Sequence, residues 1–216
     1  MLECSAVQCS ARVQYNDLPN GCICPVVSTP EFLAQNVARL ARISSNDAFL
    51  DLGCGDGRVV ANIAQICGCR AFGIDIRPEC IESSRARARA TGPAVAELCE
   101  FHLGDFQTMR AGVDAAAPPA GMGGVTVAFS YLLPEPMRVL DSLLMQAVLQ
   151  QGCRLVTFMA HPQGKRWRDP KRVQNSRDLL GELQLWERTC CGGTSSSSGD
   201  VGDSGDETLA LDQAPD

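Results

Sequence analysis

Three glycines that alternate with other residues constrain this chain most: Gly53, Gly55 and Gly57. They follow an apolar run and precede a helical pattern of apolar residues. Glycine allows the backbone to turn sharply and to approach a ligand that a side chain would block. A strand that leads through such a loop into a helix is the nucleotide-binding half of a doubly wound fold. The sequence therefore predicts an α/β protein with a doubly wound, mostly parallel sheet.

Two aspartates beside the glycines narrow the choice of ligand. A dinucleotide places its pyrophosphate at the helix N-terminus, but Asp51 and Asp56 put negative charge there. A Gly-x-Gly-x-x-Gly pattern counted from Gly53 would also need glycine where Arg58 stands. A nucleoside with an amine and a positive centre suits these acids better. S-adenosylmethionine is such a ligand.

Two further apolar runs end in acids. Residues 70–75 end in Asp75, which lies 24 positions after Asp51, near the offset of roughly 20 residues at which an acid binds ribose hydroxyls. Residues 99–103 are followed by Gly104 and Asp105. Three acids at the ends of successive strands make a more specific pattern than the glycines alone.

Short motifs on both sides of this core resemble a known family. They are Pro-x-x-x-Thr-Pro at 25–30, Asp-Leu-Gly-Cys-Gly-Asp-Gly-Arg at 51–58, Gly-Ile-Asp-Ile at 73–76 and Tyr-Leu-Leu-Pro at 131–134. Together they are similar to class I (Rossmann-like) S-adenosylmethionine-dependent methyltransferases. Within that class they resemble archaeal protein-lysine methyltransferases and the mitochondrial lysine methyltransferases of the ATP synthase c-subunit and the adenine nucleotide translocase.

The resemblance covers about residues 25–160 and implies S-adenosylmethionine as donor and protein lysine side chains as acceptors. It implies that the segment at Thr29 closes over the methionine moiety and that the acid at 105 faces the adenine amino group. The predicted cofactor-binding residues are Thr29, Asp51, Gly53, Cys54, Gly55, Asp75, Ile76, Asp105 and Phe106. Methyl transfer to a small molecule or RNA, or a module that binds the cofactor without catalysis, are the alternatives.

Tyr131 is the predicted catalytic residue. It follows the predicted fourth strand, 125–129, at the carboxyl edge where doubly wound sheets bind ligands. Tyr131, Leu133 and Pro134 are the predicted substrate-binding residues, and a helix is predicted over 137–149. Enzymes that methylate adenine amines carry Asn-Pro-Pro-Tyr or a close variant where this chain has Ser-Tyr-Leu-Leu, which argues against a base as acceptor. We therefore do not expect nucleic acid as a partner.

The chain departs from the family pattern in three places. Val26 stands where relatives often have an aromatic residue, and residues 115–124 look like an inserted loop. Residues 183–187 predict a sixth strand, after which nothing apolar follows to form the usual last antiparallel strand. Either the sheet is shortened there or its edge is filled in an unusual way.

Composition divides the chain into three parts: a poorly ordered extension over 1–24, a methyltransferase domain over 25–189 and a disordered tail over 190–216. The tail has six acids and no Lys or Arg, which leaves 19 acidic and 19 basic residues elsewhere. Low hydrophobicity and one-sided charge do not offset the entropy of ordering. A basic cluster over 165–177 is predicted to be a solvated loop and helix, with docking of an acidic protein or RNA as the alternative.

Twelve cysteines do not form the paired Cys-x-x-Cys spacing of zinc sites, so we expect no metal. The two histidines, His102 and His161, are predicted to be satisfied strand or loop residues rather than a catalytic pair. The first residues have no apolar core of a secretory signal. We expect a cytoplasmic location, with the mitochondrion as the alternative, although Arg12 is the only basic residue among the first thirty.

Overall fold

The fold is described from a computed structural model, which covers residues 29–105, 124–167, 173–178 and 181–188. Several predictions concern parts of the chain outside these residues. These parts are the N-terminal extension, the tail, Val26, Phe106 and almost all of the predicted inserted loop. No helix in the described part of the chain is both long and apolar enough to cross a membrane.

Strands and helices alternate along the chain, which is the pattern of a parallel sheet with crossover helices. The strands are β1 (Ala48–Leu52), β2 (Arg70–Asp75), β3 (Cys99–Leu103), β4 (Val127–Ser130), β5 (Arg154–Phe158), β6 (Val173–Asp178) and β7 (Gly181–Trp186). The helices are α1 (Glu31–Leu40), α2 (Arg58–Cys67), α3 (Pro78–Thr91), α4 (Pro93–Leu98) and α5 (Pro134–Gln150), with a 3-10 turn at Lys165–Trp167.

All seven strands form one sheet in the order β3-β2-β1-β4-β5-β7-β6. Strands β1 to β5 pair in parallel, and the strand order reverses direction between β1 and β4. Ligands of open α/β sheets bind at the carboxyl ends of the strands beside such a reversal. The predicted doubly wound, mostly parallel sheet is confirmed, and its topology puts the glycine loop at the reversal.

Of the two alternatives for the end of the sheet, the structure has a filled edge rather than a shortened sheet. The segment predicted as the sixth strand is β7, which pairs antiparallel with β5 on one side and β6 on the other. Strand β6 has the sequence Val-Gln-Asn-Ser-Arg-Asp and lies inside the segment predicted as a solvated loop and helix. A terminal strand that is polar in sequence shows no apolar alternation, so periodicity did not reveal it.

The two faces of the sheet bury separate apolar clusters. One cluster packs α1 and α2 against Phe49, Phe129 and Phe158, and the other packs α5 against Leu52, Ile74 and the two tryptophans at 167 and 186. Side chains of successive residues in a strand point to opposite faces. Both faces are therefore covered, and the carboxyl edge of the sheet is the place left for a ligand.

A polar network ties the opposite edge of the sheet together. Arg154 donates to the Asp47 carboxylate and to the carbonyl oxygen of Ala41. The Thr126 hydroxyl donates to Asp47 Oδ1 at 2.7 Å and accepts the Ala48 amide N–H at 2.9 Å. This network joins β1, β4 and β5 at their amino ends, so that the strands converge on the site from a fixed base.

Close packing of Gly57 is expected to make it sensitive to a single methyl group. Its φ is +73°, and an added Cβ would lie 2.6 Å from Ser84 Cβ and 2.9 Å from a ring carbon of Phe101. Gly152 is a matched control, because its φ is +71° but an added Cβ meets nothing within 4 Å.

We expect Gly152→Ala to lower the free energy of unfolding by about 1–2 kcal/mol through left-handed backbone strain. Gly57→Ala should lose a further amount of about 1–3 kcal/mol from overpacking. Denaturant unfolding of both variants measures the difference. Equal losses would contradict the contact with Ser84 and Phe101.

Candidate functional site

The glycine loop is fastened to the end of β2 by three amide donors. Gly53 and Cys54 both donate their N–H to the carbonyl oxygen of Ile74 at 2.9 Å, and Gly55 donates to Asp75 Oδ2 at 2.9 Å. Gly53 and Gly55 have φ values of +82° and +54°, in the left-handed region that glycine adopts without steric cost. A Cβ on Gly55 would meet nothing within 4 Å, so the loop leaves space on the side away from the sheet.

Tight packing beneath the loop explains one further glycine, Gly73. A Cβ on Gly73 would lie 2.8 Å from both the Cβ and the Sγ of Cys54. The Cys54 side chain is therefore buried between the loop and the sheet, and burial raises the pKa of its thiol well above the usual value. Ser84 of α3 is buried with its hydroxyl 2.9 Å from the carbonyl oxygen of Gly55. Cys54 can thus present only backbone atoms to a ligand over the loop.

Asp75 is buried at the carboxyl end of β2, with 5 % of its surface exposed. Its Oδ2 accepts the Gly55 amide, and its Oδ1 accepts the backbone N–H of Arg77 at 3.0 Å. Arg77 Nε lies 3.4 Å from the same Oδ1. A carboxylate has about four lone-pair sites, so Oδ2 retains capacity for another donor. The carboxylate is thus held in one orientation beside the open side of the loop.

Asp51 lies at the end of β1 and is buried, with 4 % of its surface exposed. Burial, together with the negative charges of Asp75 and Asp56, raises its pKa to about 8. Its carboxyl accepts no hydrogen bond from the residues in the four described ranges. A buried carboxylate without a partner favours a cationic group beside it. This matches the positive ligand that the sequence predicts.

Asp56 differs from Asp51, because two arginines neutralise it. Arg58 lies 2.8 Å and Arg87 2.7 Å from its Oδ2. Burial alone would raise the pKa of Asp56, but the hydrogen bonds and charges of these arginines outweigh it and lower the pKa. Arg58 also donates to the carbonyl oxygen of Thr29 at 3.0 Å. The segment before α1 is therefore tied to the glycine loop through one side chain.

Sequence reasoning missed this role of Arg58, which it used only to exclude a dinucleotide pattern. Position 58 in the sequence could not reveal it, since Thr29 is 29 residues away along the chain. A charged residue directly after the glycine loop was the available signal.

The other predicted cofactor residues lie along the same edge. Thr29 is buried, and Ile76 follows β2 as a half-buried residue. The amide of Gly104 donates to the carbonyl oxygen of Asp75 at 3.0 Å, which brings the half-buried Asp105 next to β2. The structure therefore brings together at one edge all of the predicted cofactor residues that it describes.

Tyr131 lies on the other side of the loop, directly after β4. Its ring packs edge-on against Phe158, with ring centroids 4.9 Å apart, and its hydroxyl lies 3.5 Å from Met159 Sδ. Met159 has a φ of +64° and an exposed side chain. Aromatic and thioether groups thus form an apolar wall at the carboxyl ends of β4 and β5.

The residues after Tyr131 lead from β4 into α5. Leu132 is buried under α5, whereas Leu133 is half-buried. Pro134 is the first residue of α5, a position that proline favours because its missing N–H has no partner there. The predicted substrate residues Leu133 and Pro134 therefore follow Tyr131 closely at the carboxyl edge of the sheet.

Comparisons with known proteins agree with this geometry. A family model described as a methyltransferase domain matches residues 43–176. The chain belongs to the methyltransferase domain family. It is 35 % identical over 155 residues to a protein-lysine N-methyltransferase of Saccharolobus islandicus, covering 71 % of this chain and 86 % of that protein.

Solved structures of methyltransferases share the fold. An RNA methyltransferase from Salinibacter ruber in complex with S-adenosyl-L-homocysteine matches with a TM-score of 0.59 and 27 % identity, over 74 % of this chain and 92 % of that one. A SAM-dependent O-methyltransferase from Thermotoga maritima matches with a TM-score of 0.56 and 15 % identity, over 78 % and 69 % of the two chains. The latter shows the fold alone.

S-adenosylmethionine is the methyl donor of this methyltransferase. The described residues fit it. The open side of Gly55 leaves room for a bulky ligand against the backbone, and the Asp51 carboxyl lacks a partner that a cation would supply. Within the described ranges, no group of three His, Cys, Asp or Glu residues is arranged to hold a metal ion.

Asp51→Asn is expected to stabilise the ligand-free protein as the pH rises. The folded-state pKa of about 8 lies above the ordinary value of 3.8, so between pH 4 and 8 the native state binds more protons than the unfolded state. Asp51 therefore costs stability as the pH rises through that window, on the order of 1 kcal/mol per pH unit.

Thermal unfolding of wild type and Asp51→Asn at pH 4, 6 and 8 measures this effect. The variant's advantage should be smallest at pH 4 and largest at pH 8, while its affinity for the donor falls. An advantage that does not change with pH would show that the carboxyl is not destabilised by its surroundings.

Proposed function

We propose that the chain is an S-adenosylmethionine-dependent protein-lysine N-methyltransferase. The observation that carries the lysine acceptor is the 35 % identity to a protein-lysine N-methyltransferase over 86 % of that protein. The apolar wall of Tyr131, Phe158 and Met159 supports it. The partner that follows from this proposal is a protein with an accessible lysine.

Each predicted cofactor residue receives a role that its geometry supports. Asp75, fixed by two backbone amides, is proposed to accept the ribose hydroxyls, and Asp51 to face the positively charged end of the donor. Gly53, Cys54 and Gly55 are proposed to contact the donor through their backbone. Thr29, held by Arg58, is proposed to close over the methionine part, and Ile76 and Asp105 to flank the adenine. Phe106 stays a prediction from the sequence.

The bound donor supplies an electrophilic methyl group, so the protein mainly has to align the acceptor and exclude water. A lysine amine, with an ordinary pKa of about 10.4, must first lose its proton. Surroundings that remove water lower the pKa of an amine. Tyr131, packed against Phe158 and Met159, is proposed to form that environment and to orient the amine.

RNA is the second candidate acceptor, because a Salinibacter ruber RNA methyltransferase is 27 % identical and matches over 92 % of its length. The chain's Ser130-Tyr131-Leu132-Leu133 sequence and the predominantly apolar wall favour an aliphatic amine over a base.

Two substitutions should separate the donor side from the acceptor side. Asp75→Ala removes the acceptor of the Gly55 and Arg77 amides. We expect the affinity for the methyl donor to fall by more than tenfold, because a hydrogen bond to a charged group contributes about 1.5–3 kcal/mol. Tyr131→Phe keeps the ring and should lower turnover with donor affinity nearly unchanged.

Calorimetry with S-adenosyl-L-homocysteine measures donor affinity, and initial rates measure turnover. If both variants lost donor affinity equally, Tyr131 would belong to the donor site and not to the acceptor site.

Incubation with radiolabelled S-adenosylmethionine and fractionated cell extract tests the acceptor. We expect label in protein, and after acid hydrolysis in methylated lysine. A heat-inactivated enzyme and the Asp75→Ala variant are the controls. Label confined to RNA or to a small molecule would overturn the lysine proposal, and label in no fraction would favour a module that binds the donor without catalysis.

A further inference from the structure

Three hydrogen-bonded side chains lie in series at the carboxyl end of β5, within the otherwise apolar packing against α5. The Nε1–H of Trp186 donates to Thr157 Oγ1 at 3.1 Å, and Thr157 Oγ1 lies 2.7 Å from His161 Nδ1. Thr157 is completely buried and Trp186 nearly so. Trp186 is held in turn by an edge-on contact with Trp167, at 5.1 Å between ring centroids. None of these four residues belongs to the cofactor site.

The hydrogen positions in this series follow from what each group can do. An indole N–H only donates, so the Thr157 oxygen accepts from Trp186. The Thr157 hydroxyl then needs an acceptor, and in the described part of the chain only His161 Nδ1 is within reach of it. A hydroxyl hydrogen left unpaired in a completely buried place would cost about 1–3 kcal/mol. His161 Nδ1 is therefore the acceptor, and the ring proton resides on Nε2.

His161 is neutral in this arrangement. Burial lowers the pKa of its imidazole, while the negative charge of Glu182 acts in the opposite direction. Its Nε2–H lies across the ring from Thr157 and has no hydrogen-bond partner among the residues of the four described ranges. The residue as a whole is only half-buried. The protein thus holds a neutral N–H donor in one orientation and leaves it without an internal partner.

This donor lies at the same carboxyl edge of the sheet as the proposed acceptor wall, but on the opposite face, because the side chains of Thr157 and Phe158 point to opposite faces. Thr157 pairs in register with Ser130 of β4, the residue before Tyr131. Phe158 and Met159, which separate Thr157 from the loop that carries His161, are the residues that contact the Tyr131 ring and hydroxyl. His161 and Tyr131 are therefore anchored at the carboxyl ends of two neighbouring strands, one on each face of the sheet, so that an acceptor lying across this edge could reach both.

We propose that His161 is a positioning residue, which donates its Nε2–H to a backbone carbonyl oxygen of the acceptor polypeptide near the methylated lysine. This inference rests on the proposed lysine function. A neutral oxygen fits better than a carboxylate or phosphate, because the charge of Glu182 beside His161 opposes an anion. The arrangement also excludes His161 as the base that deprotonates the amine, since its outward nitrogen already carries the proton.

Nitrogen-15 NMR of the full-length protein tests the tautomer without any acceptor. The chain has two histidines, and the signals of His161 are those missing in His161→Gln. At pH 7 we expect Nε2 to be protonated and Nδ1 to be bare. Thr157→Val, which removes the hydroxyl, should shift the population toward a mixture of tautomers. A wild-type His161 that carries its proton on Nδ1, or on both nitrogens, would overturn the proposal.

Kinetics with two variants tests the donor role. Glutamine can place an amide N–H near the position of Nε2 but cannot act as a base, whereas leucine supplies neither. With tritiated S-adenosylmethionine and a bacterial protein extract as the mixed lysine acceptor, His161→Leu should raise the apparent KM for extract protein about three- to tenfold, the value of one net hydrogen bond. His161→Gln should restore most of the loss.

Gln163→Ala is the control, because the exposed Gln163 donates only to the His161 carbonyl oxygen at 3.0 Å and should leave KM unchanged. Calorimetry with S-adenosyl-L-homocysteine should give the same affinity for all variants. If His161→Gln were as impaired as His161→Leu, or if the loss lay in turnover alone, the positioning role would be wrong. Wild-type labelling of RNA rather than protein would instead refute the lysine function, independently of the tautomer.

Discussion

The attachment of the glycine loop to the end of β2 is the interaction on which the site depends. Two loop amides share the Ile74 carbonyl oxygen, and a third binds the Asp75 carboxylate. These contacts require left-handed backbone at Gly53 and Gly55. They fix the start of α2 and hold the Asp75 carboxylate beside the loop. The conformation of the loop and the orientation of the Asp75 carboxylate therefore depend on the same hydrogen bonds.

Three aspartates lie around this loop, and their carboxylates differ in their hydrogen-bonding and ion-pair partners. Two arginines neutralise Asp56, two backbone amides and the Arg77 side chain hold Asp75, and Asp51 is left without a hydrogen bond from the described residues. Burial, together with the negative charges of Asp75 and Asp56, raises the pKa of Asp51 to about 8, so the ionised carboxylate destabilises the ligand-free protein. In the function proposed above, a cationic donor beside Asp51 removes this cost, so the arrangement that weakens the fold would also favour the ligand.

Much of this could be predicted from the sequence, because local patterns encode it. Short segments with recognisable apolar runs contain the glycines of the loop, the acids at 51, 75 and 105 and the strands that precede these acids. One strand, β6, was missed for a physical reason. Strand β6 is polar in sequence, and whether such a segment becomes a strand depends on the hydrogen-bonding edge that β7 offers to it, which no local pattern records.

Contiguous motifs are sufficient to predict the fold class, the family and the edge of the sheet that carries the candidate site. The contacts that hold the side chains at this edge become visible only in the folded structure. Arg58 reaches Thr29, Arg87 reaches Asp56, and Trp186 donates to the Thr157 hydroxyl, which in turn contacts the His161 ring. Such contacts depend on distances between atoms that are remote in sequence, and these are set by packing across the sheet rather than by any local propensity.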